Sequence, residues 1–166
     1  MANSLVWVLL FMMAAIAMLV FVPRRDVIRL LPFGIVGGWL VAVAIQWVAV
    51  QILRVWRFNF TEFASYRGIP LFLTLAWMPL TIVFGHWLLQ IRTGTGRFFY
   101  TAGFALGTVV LEWLLVLASY RVYLRYWNVV YTAVLALVIH YLLAWYLLST
   151  RRVENGNAPK VVQLKD

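Results

Sequence analysis

The sequence predicts an all-α, polytopic membrane protein with five transmembrane helices in one bundle. Of its 166 residues, 65% are hydrophobic and 11% are charged, whereas about a quarter of the residues in a soluble domain are charged. Short segments with Arg, Gly or Pro separate apolar runs of about the ~20 residues that a helix needs to cross a bilayer. The predicted spans are residues 5–22, 30–53, 69–91, 98–120 and 127–148, within a membrane bundle of residues 1–150 that is followed by a polar cytoplasmic tail, 151–166.

The first predicted span could be mistaken for a signal peptide, and the second contains regularly spaced small residues. Residues 5–22 have no basic segment before them and end at Pro23, so they predict a retained span and not a cleaved signal peptide. In the second span Gly34, Gly38, Ala42 and Gln46 fall four apart. This spacing predicts a seam of close helix packing with Gln46 hydrogen-bonded across it, and a contact of Gln46 with a substrate is the alternative.

The middle of the chain contains a mixed segment and an interrupted span. Residues 57–68 mix aromatic with charged residues and are expected to lie at the level of the lipid headgroups. The third span has Pro79 near its middle, which predicts a kink. His86 lies near the far end of this span.

The last two spans contain the most polar residues. Gly103 and Gly107 form a second GxxxG pair in the fourth span, beside a stripe that includes Thr108 and Glu112. The fifth span has a small and polar stripe that includes His140. Both stripes are expected to turn towards the interior of the bundle.

Glu112 is the central residue of the sequence because it is the one acidic residue inside a hydrophobic span. A carboxylate in the membrane costs roughly 2.5–3.5 kcal/mol on insertion scales, so it normally faces other helices or a wet cavity. Helical rise places Glu112 and His140 roughly 8 Å apart in depth, close enough for a direct or water-mediated contact. A candidate buried polar site of Glu112, His140, Gln46 and Thr108 is therefore predicted. It is either a structural clasp, a proton or small-ligand site, or the centre of an intramembrane enzyme.

Several classes of function find little support. The net charge of +9 comes from basic residues placed singly or in small groups at the ends of apolar runs, which is typical of headgroup contacts and not of a nucleic-acid interface. The chain has no cysteine, and no metal-ligand spacing or catalytic triad is present. His86 and His140 differ by roughly 5 Å in depth, which disfavours a shared haem iron. We therefore expect no cofactor, no metal and no assigned catalytic residue, and an enzyme is the less favoured class.

The basic residues predict an orientation. With five spans, nine Lys and Arg lie on the side of the carboxyl terminus and five on the other side. Because the richer side normally faces the cytoplasm, the amino terminus is expected outside and the carboxyl terminus inside.

Short aromatic motifs also carry a resemblance. Pro79-Leu80, Glu112-Trp113-Leu114 and the segment from Tyr123 to Asn128 resemble a family of small polytopic membrane proteins of spore-forming Firmicutes, over most of residues 23–148. The resemblance implies a compact helical bundle in a bacterial plasma (inner) membrane, makes Glu112 the residue of greatest interest, and implies no activity.

Two functions therefore remain open. The first is a structural or accessory subunit in the bilayer, which self-associates through its GxxxG faces or joins a larger membrane complex. The alternative is a proton-linked carrier, or a protein that binds a lipid or small ligand, using Glu112 and His140.

Overall fold

The computed structural model describes the backbone of residues 2–156 and the side chains of residues 3–150. Helices dominate this part of the chain, and four short strands lie in two of the connections. The helices are α1 (Leu5–Phe21), α2 (Arg24–Ile52), α3 (Leu71–Gln90), α4 (Gly94–Leu117) and α5 (Val129–Gly156), and a 3₁₀ turn, Ala2–Ser4, precedes α1. The strands are β1 (Trp56–Phe58), β2 (Ser65–Tyr66), β3 (Ile69–Pro70) and β4 (Arg121–Tyr123).

Four of the helices are long and apolar enough to cross a membrane, which indicates a membrane location. They are α2, α3, α4 and the first 22 residues of α5. Helix α1 is apolar but has 17 residues, or about 26 Å at 1.5 Å per residue, slightly less than the ~30 Å of a hydrocarbon core. That α1 crosses the membrane as the first of five spans therefore stays a prediction.

Helix α2 begins earlier than the predicted second span. It starts directly after Pro23, and residues 24–29, four of which are charged, form its first turns with Asp26 near the positive end of the helix dipole. Two stretches of α2 are π-helical, Gly34–Leu40 and Val48–Ile52. Wider turns of this kind often occur next to functional sites.

Helix α3 lies at the centre of the fold. It packs against α1 and α2, and it also contacts α4 and α5, which pack against each other. Glycines allow the close approach of α2, because a methyl group on Gly38 would lie 2.6 Å from the carbonyl oxygen of Trp77 and one on Gly34 would lie 2.6 Å from the Ile82 side chain. Helix α3 continues through Pro79, which is buried in the core.

Two apolar clusters lie towards opposite ends of α3. The first includes Phe33, Ile82 and Leu147, from the start of α2 and the ends of α3 and α5. The second includes Trp7, Phe58 and Leu73, from the start of α1, from β1 and from the start of α3. The helix segments between these clusters supply the polar site.

Residues 57–68, expected at headgroup level, form turns and short strands. Strand β1 pairs with β4 in an antiparallel ladder in which Phe58 lies opposite Arg121, and β2 pairs with β3. Trp7 of α1 donates a hydrogen bond from Nε1 to the carbonyl oxygen of Phe60 at 3.0 Å. The segment that follows β1 is therefore tied to the start of α1.

Helix α5 extends beyond the predicted fifth span. Its backbone continues to Gly156, into the segment predicted as a polar tail from residue 151. The rest of that predicted tail, 157–166, lies outside the described residues.

Candidate functional site

A small polar cavity lies among α2, α3, α4 and α5. Its volume is about 60 Å³, which is enough for a few water molecules. All four residues of the predicted polar site, Glu112, His140, Gln46 and Thr108, line this cavity. The other polar side chains around it are Trp56, Trp77, Thr81, Arg121 and Thr132.

Three of the four predicted residues bond elsewhere and not to Glu112. The Gln46 Oε1 accepts a hydrogen bond from Trp56 Nε1 at 3.1 Å. His140 donates from Nδ1 to the carbonyl oxygen of Ala136 at 2.7 Å, and the Thr108 hydroxyl donates to the carbonyl oxygen of Ala105. The expected direct contact of Glu112 with His140 is therefore not among the described hydrogen bonds.

The ends of the helices explain this difference. Helix α4 begins at Gly94 and ends at Leu117, so Glu112 lies about 10 Å from the middle of the helix along its axis, whereas the predicted span, 98–120, placed it nearer the middle. His140 lies at the middle of the apolar part of α5, residues 129–150. Glu112 is therefore closer to the connection that follows α4 than to His140.

Arg121 is the partner of Glu112. Its Nη1 lies 2.6 Å from Glu112 Oε2, and the Arg121 side chain is 2% exposed while that of Glu112 is 18% exposed. Arg121 lies between the predicted fourth and fifth spans, and the sequence did not reveal this role. A lone acid in a span followed by an arginine in the next connection was the available signal, but it does not show that the connection folds inward.

Aromatic rings hold the guanidinium in place. The Arg121 Cζ lies 4.1 Å from the ring centre of Trp56 and 5.2 Å from that of Phe58. Successive strand residues point to opposite faces, so Trp56 and Phe58 both point inward on β1 and exposed Arg57 points outward. Desolvated cation–π contacts of this kind contribute about 2 kcal/mol, and they fix the direction of the arginine.

A tight helix end turns the chain back towards Glu112. Ser119 has a left-handed backbone with φ of 61°, its N–H donates to the carbonyl oxygen of Val116, and the N–H of Tyr120 donates to that of Leu115. These two bonds form a Schellman motif. It reverses the chain and leads directly into β4.

Replacing Ser119 tests this turn. We expect Ser119→Gly to stabilise the protein by up to about 1 kcal/mol because glycine adopts positive φ without steric cost. Ser119→Val should destabilise it by about 1–2 kcal/mol because a β-branched side chain is strained there. Guanidinium unfolding in detergent micelles, followed by tryptophan fluorescence, measures both changes, and equal stability of the two variants would contradict the role of the turn.

An apolar groove lies on the other side of the ion pair. It has a volume of about 240 Å³ and lies among α1, α3 and α4. Glu112, Arg121 and Trp77 line both the groove and the polar cavity. The remaining groove residues are apolar: Leu10, Met13, Ala14, Ala17, Leu73, Ala76, Leu80, Leu111 and Leu115.

A second polar cluster joins α2 and α3 at the other end of the molecule. His86 Nδ1 lies 3.0 Å from Asp26 Oδ2, and His86 Nε2 lies 2.7 Å from Gln90 Nε2. Both ring nitrogens of His86 are therefore engaged within the protein, which leaves none for the haem iron considered above. No group of three or more His, Cys, Asp or Glu in the described part of the chain is placed to hold a metal ion.

The two GxxxG pairs have different surroundings. Gly34 and Gly38 lie against α3, where a methyl group on either would meet atoms within 3 Å. At Gly103 and Gly107 a methyl group would meet nothing within 4 Å. The first pair is therefore a packing contact within the chain, and the second lies on an open face of α4.

Comparisons with known proteins add no relative to this description. No protein family, curated protein or solved structure matches the chain. The resemblance to the Firmicutes membrane family therefore stays a prediction.

Proposed function

We propose that the protein binds a single-chain, lipid-like molecule in the groove among α1, α3 and α4, with the polar group of that molecule at Glu112 and Arg121. The observation that supports this proposal is the position of the ion pair, which lines an apolar groove on one side and a polar cavity on the other. A binding site for an amphipathic molecule needs both surfaces next to each other.

The groove is suited to a hydrocarbon chain. Nine of its twelve lining residues are methionine, alanine or leucine, and no charged side chain lines it apart from the ion pair. An apolar cavity of about 150 Å³ stays dry and takes up an apolar molecule. At about 240 Å³, this groove is large enough for part of an acyl chain.

The proposed setting is a bacterial plasma membrane. In this setting α1 crosses the membrane in addition to the four longer helices, and the amino terminus lies outside. Since Arg121 is paired with Glu112, it does not count as a basic residue of the outer loops. The count of nine against five Lys and Arg then becomes nine against four, five minus Arg121. This difference supports the carboxyl terminus in the cytoplasm.

A structural or accessory subunit is the second candidate function. Two observations favour it: Glu112 is already neutralised by Arg121, and a methyl group added at Gly103 or Gly107 of α4 would meet nothing within 4 Å in the described chain. Small residues on a lipid-facing helix allow a second helix to approach closely. In this case the ion pair fixes the β1–β4 connection, and α4 contacts a second copy or a partner subunit.

Native mass spectrometry tests the binding function. The full chain, purified in detergent, is incubated with dodecanoate or with monododecanoylglycerol, and one bound molecule per chain is expected for at least one of the two. Ala17→Phe fills the groove with a ring and should remove this binding. Ala15→Phe is the matched control, because Ala15 is on the same helix and does not line the groove.

The outcomes separate the two candidates. Binding that Ala17→Phe abolishes and Ala15→Phe retains supports the groove as the site. If neither probe binds, or if both variants behave alike, the binding function is wrong. A stable dimer that Gly107→Ile disrupts would then favour the structural function.

A further inference from the structure

The guanidinium of Arg121 has hydrogen-bonding capacity that the protein leaves unused. Its Nε–H is buried and finds no acceptor in the described part of the chain, while Nη1 is held by Glu112. A buried donor without an acceptor costs about 1–3 kcal/mol. An arginine fork is suited to a second carboxylate, since its five N–H donors match planar anions.

We infer that the ligand is the anion of a long-chain carboxylic acid, bound at Arg121, and that Glu112 takes up one proton when this anion binds. The inference rests on the proposed function and adds the chemical class of the ligand and its link to pH. It commits to a free carboxylate with one chain.

The sizes of the two spaces favour this ligand. The polar cavity of about 60 Å³ has room for a carboxylate and a few water molecules, and the groove has room for part of one chain. A phospholipid brings a larger phosphodiester headgroup and two chains. The carboxylate is the smallest anionic group that the arginine fork recognises.

The net charge of the site predicts that a proton is taken up when the anion binds. The empty site contains Glu112⁻ and Arg121⁺ and is neutral. A bound carboxylate anion alone gives it a net charge of −1 in a poorly solvated place, which is costly. One proton from water on the carboxylate of Glu112 restores neutrality, so that one anion and one proton enter together.

The other groups around Glu112 limit where the proton goes. Besides Arg121 of β4, the titratable residue that lines the polar cavity is His140 of α5. Among the lining residues, α2 and α3 contribute neutral side chains, such as Gln46 and Thr81, and α1 contributes only apolar ones. His140 is therefore the rival acceptor.

Calorimetry measures the stoichiometry of the proton. Titration of the full chain with dodecanoate in two buffers of different ionisation enthalpy should show uptake of about one proton per ligand. Because the bound state has one proton more, the affinity for the anion should fall as the pH rises, by at most about tenfold for each pH unit. Glu112→Gln mimics the protonated acid, so its affinity should be independent of pH and it should take up no proton.

Infrared difference spectra identify which group is protonated when the ligand binds. Addition of dodecanoate labelled with ¹³C at the carboxyl group should produce a protonated-carboxyl band that does not shift with the label and that disappears in Glu112→Gln. A band that shifts with the label would place the proton on the ligand. Loss of proton uptake in His140→Gln, but not in Glu112→Gln, would place it on the histidine, and either result overturns the inference.

The neutral probe separates this inference from the proposed function. We expect dodecanoate to bind at least tenfold more tightly than monododecanoylglycerol below neutral pH, and this preference should disappear in the double variant Glu112→Gln/Arg121→Gln. If both probes bind equally to the natural chain, the anion inference fails and the groove function stands. Binding of lysophosphatidic acid in preference to dodecanoate would replace the carboxylate with a phosphate and also overturn the inference. If neither single-chain probe binds, both proposals fail.

Discussion

Arg121→Gln is expected to lower the free energy of unfolding by about 3–5 kcal/mol. The substitution leaves Glu112 without its counter-charge and removes the cation–π contacts with Trp56 and Phe58. Because the Glu112 side chain is 18% exposed and so not fully buried, the lower end of the range is expected. Guanidinium unfolding in micelles measures the change.

The double variant is the control for this prediction. Glu112→Gln alone leaves the Arg121 charge buried and is also expected to be destabilising, whereas Glu112→Gln/Arg121→Gln removes both charges together. The double variant should therefore be more stable than Arg121→Gln, and the coupling energy of the cycle should be about 0.5–3 kcal/mol. Additive effects of the two single variants would show that the pair does not couple.

Gly38→Ala is expected to destabilise the protein by about 1–3 kcal/mol. The added methyl group would lie 2.6 Å from the carbonyl oxygen of Trp77 and 2.9 Å from the Cα of Met78. Both atoms are backbone, so no side-chain rotation relieves the clash and α2 must move away from α3. Thermal unfolding in detergent, followed by circular dichroism, measures the loss.

Gly107→Ala is the matched control. A methyl group at Gly107 would meet no atom within 4 Å, and alanine favours a helix over glycine by about 0.8–1.0 kcal/mol. A monomer should therefore be unchanged or slightly more stable. A loss of stability that depends on protein concentration would instead place a second copy against this face of α4.

The sequence identified Glu112 because of a local property. One carboxylate in an apolar span is visible without any structure, and so are the stripes that contain Gln46, Thr108 and His140. Their convergence on one cavity follows from helical periodicity, which places residues three or four apart on the same face. The pairing within the site does not follow, because depth depends on where each helix ends, and helix ends are set by caps such as Ser119.

Gly34 and Gly103 show that the sequence also does not predict which helices pack together. Both glycines belong to GxxxG pairs of the same spacing. Gly34 lies against Ile82, whereas a methyl group at Gly103 would meet nothing within 4 Å in the described chain. Spacing alone shows that one face of a helix has small residues. It does not show which other helix packs against that face.

By itself, the sequence determined four helices long and apolar enough to cross a membrane and the acidic residue that lies within one of them, because hydrophobicity and periodicity are properties of neighbouring residues. Only the tertiary structure decided that Arg121, and not His140, neutralises Glu112. The ion pair requires a left-handed turn at Ser119 and the pairing of β4 with β1. These strands are far apart in sequence, so their contact depends on packing of the whole bundle, which no local pattern specifies.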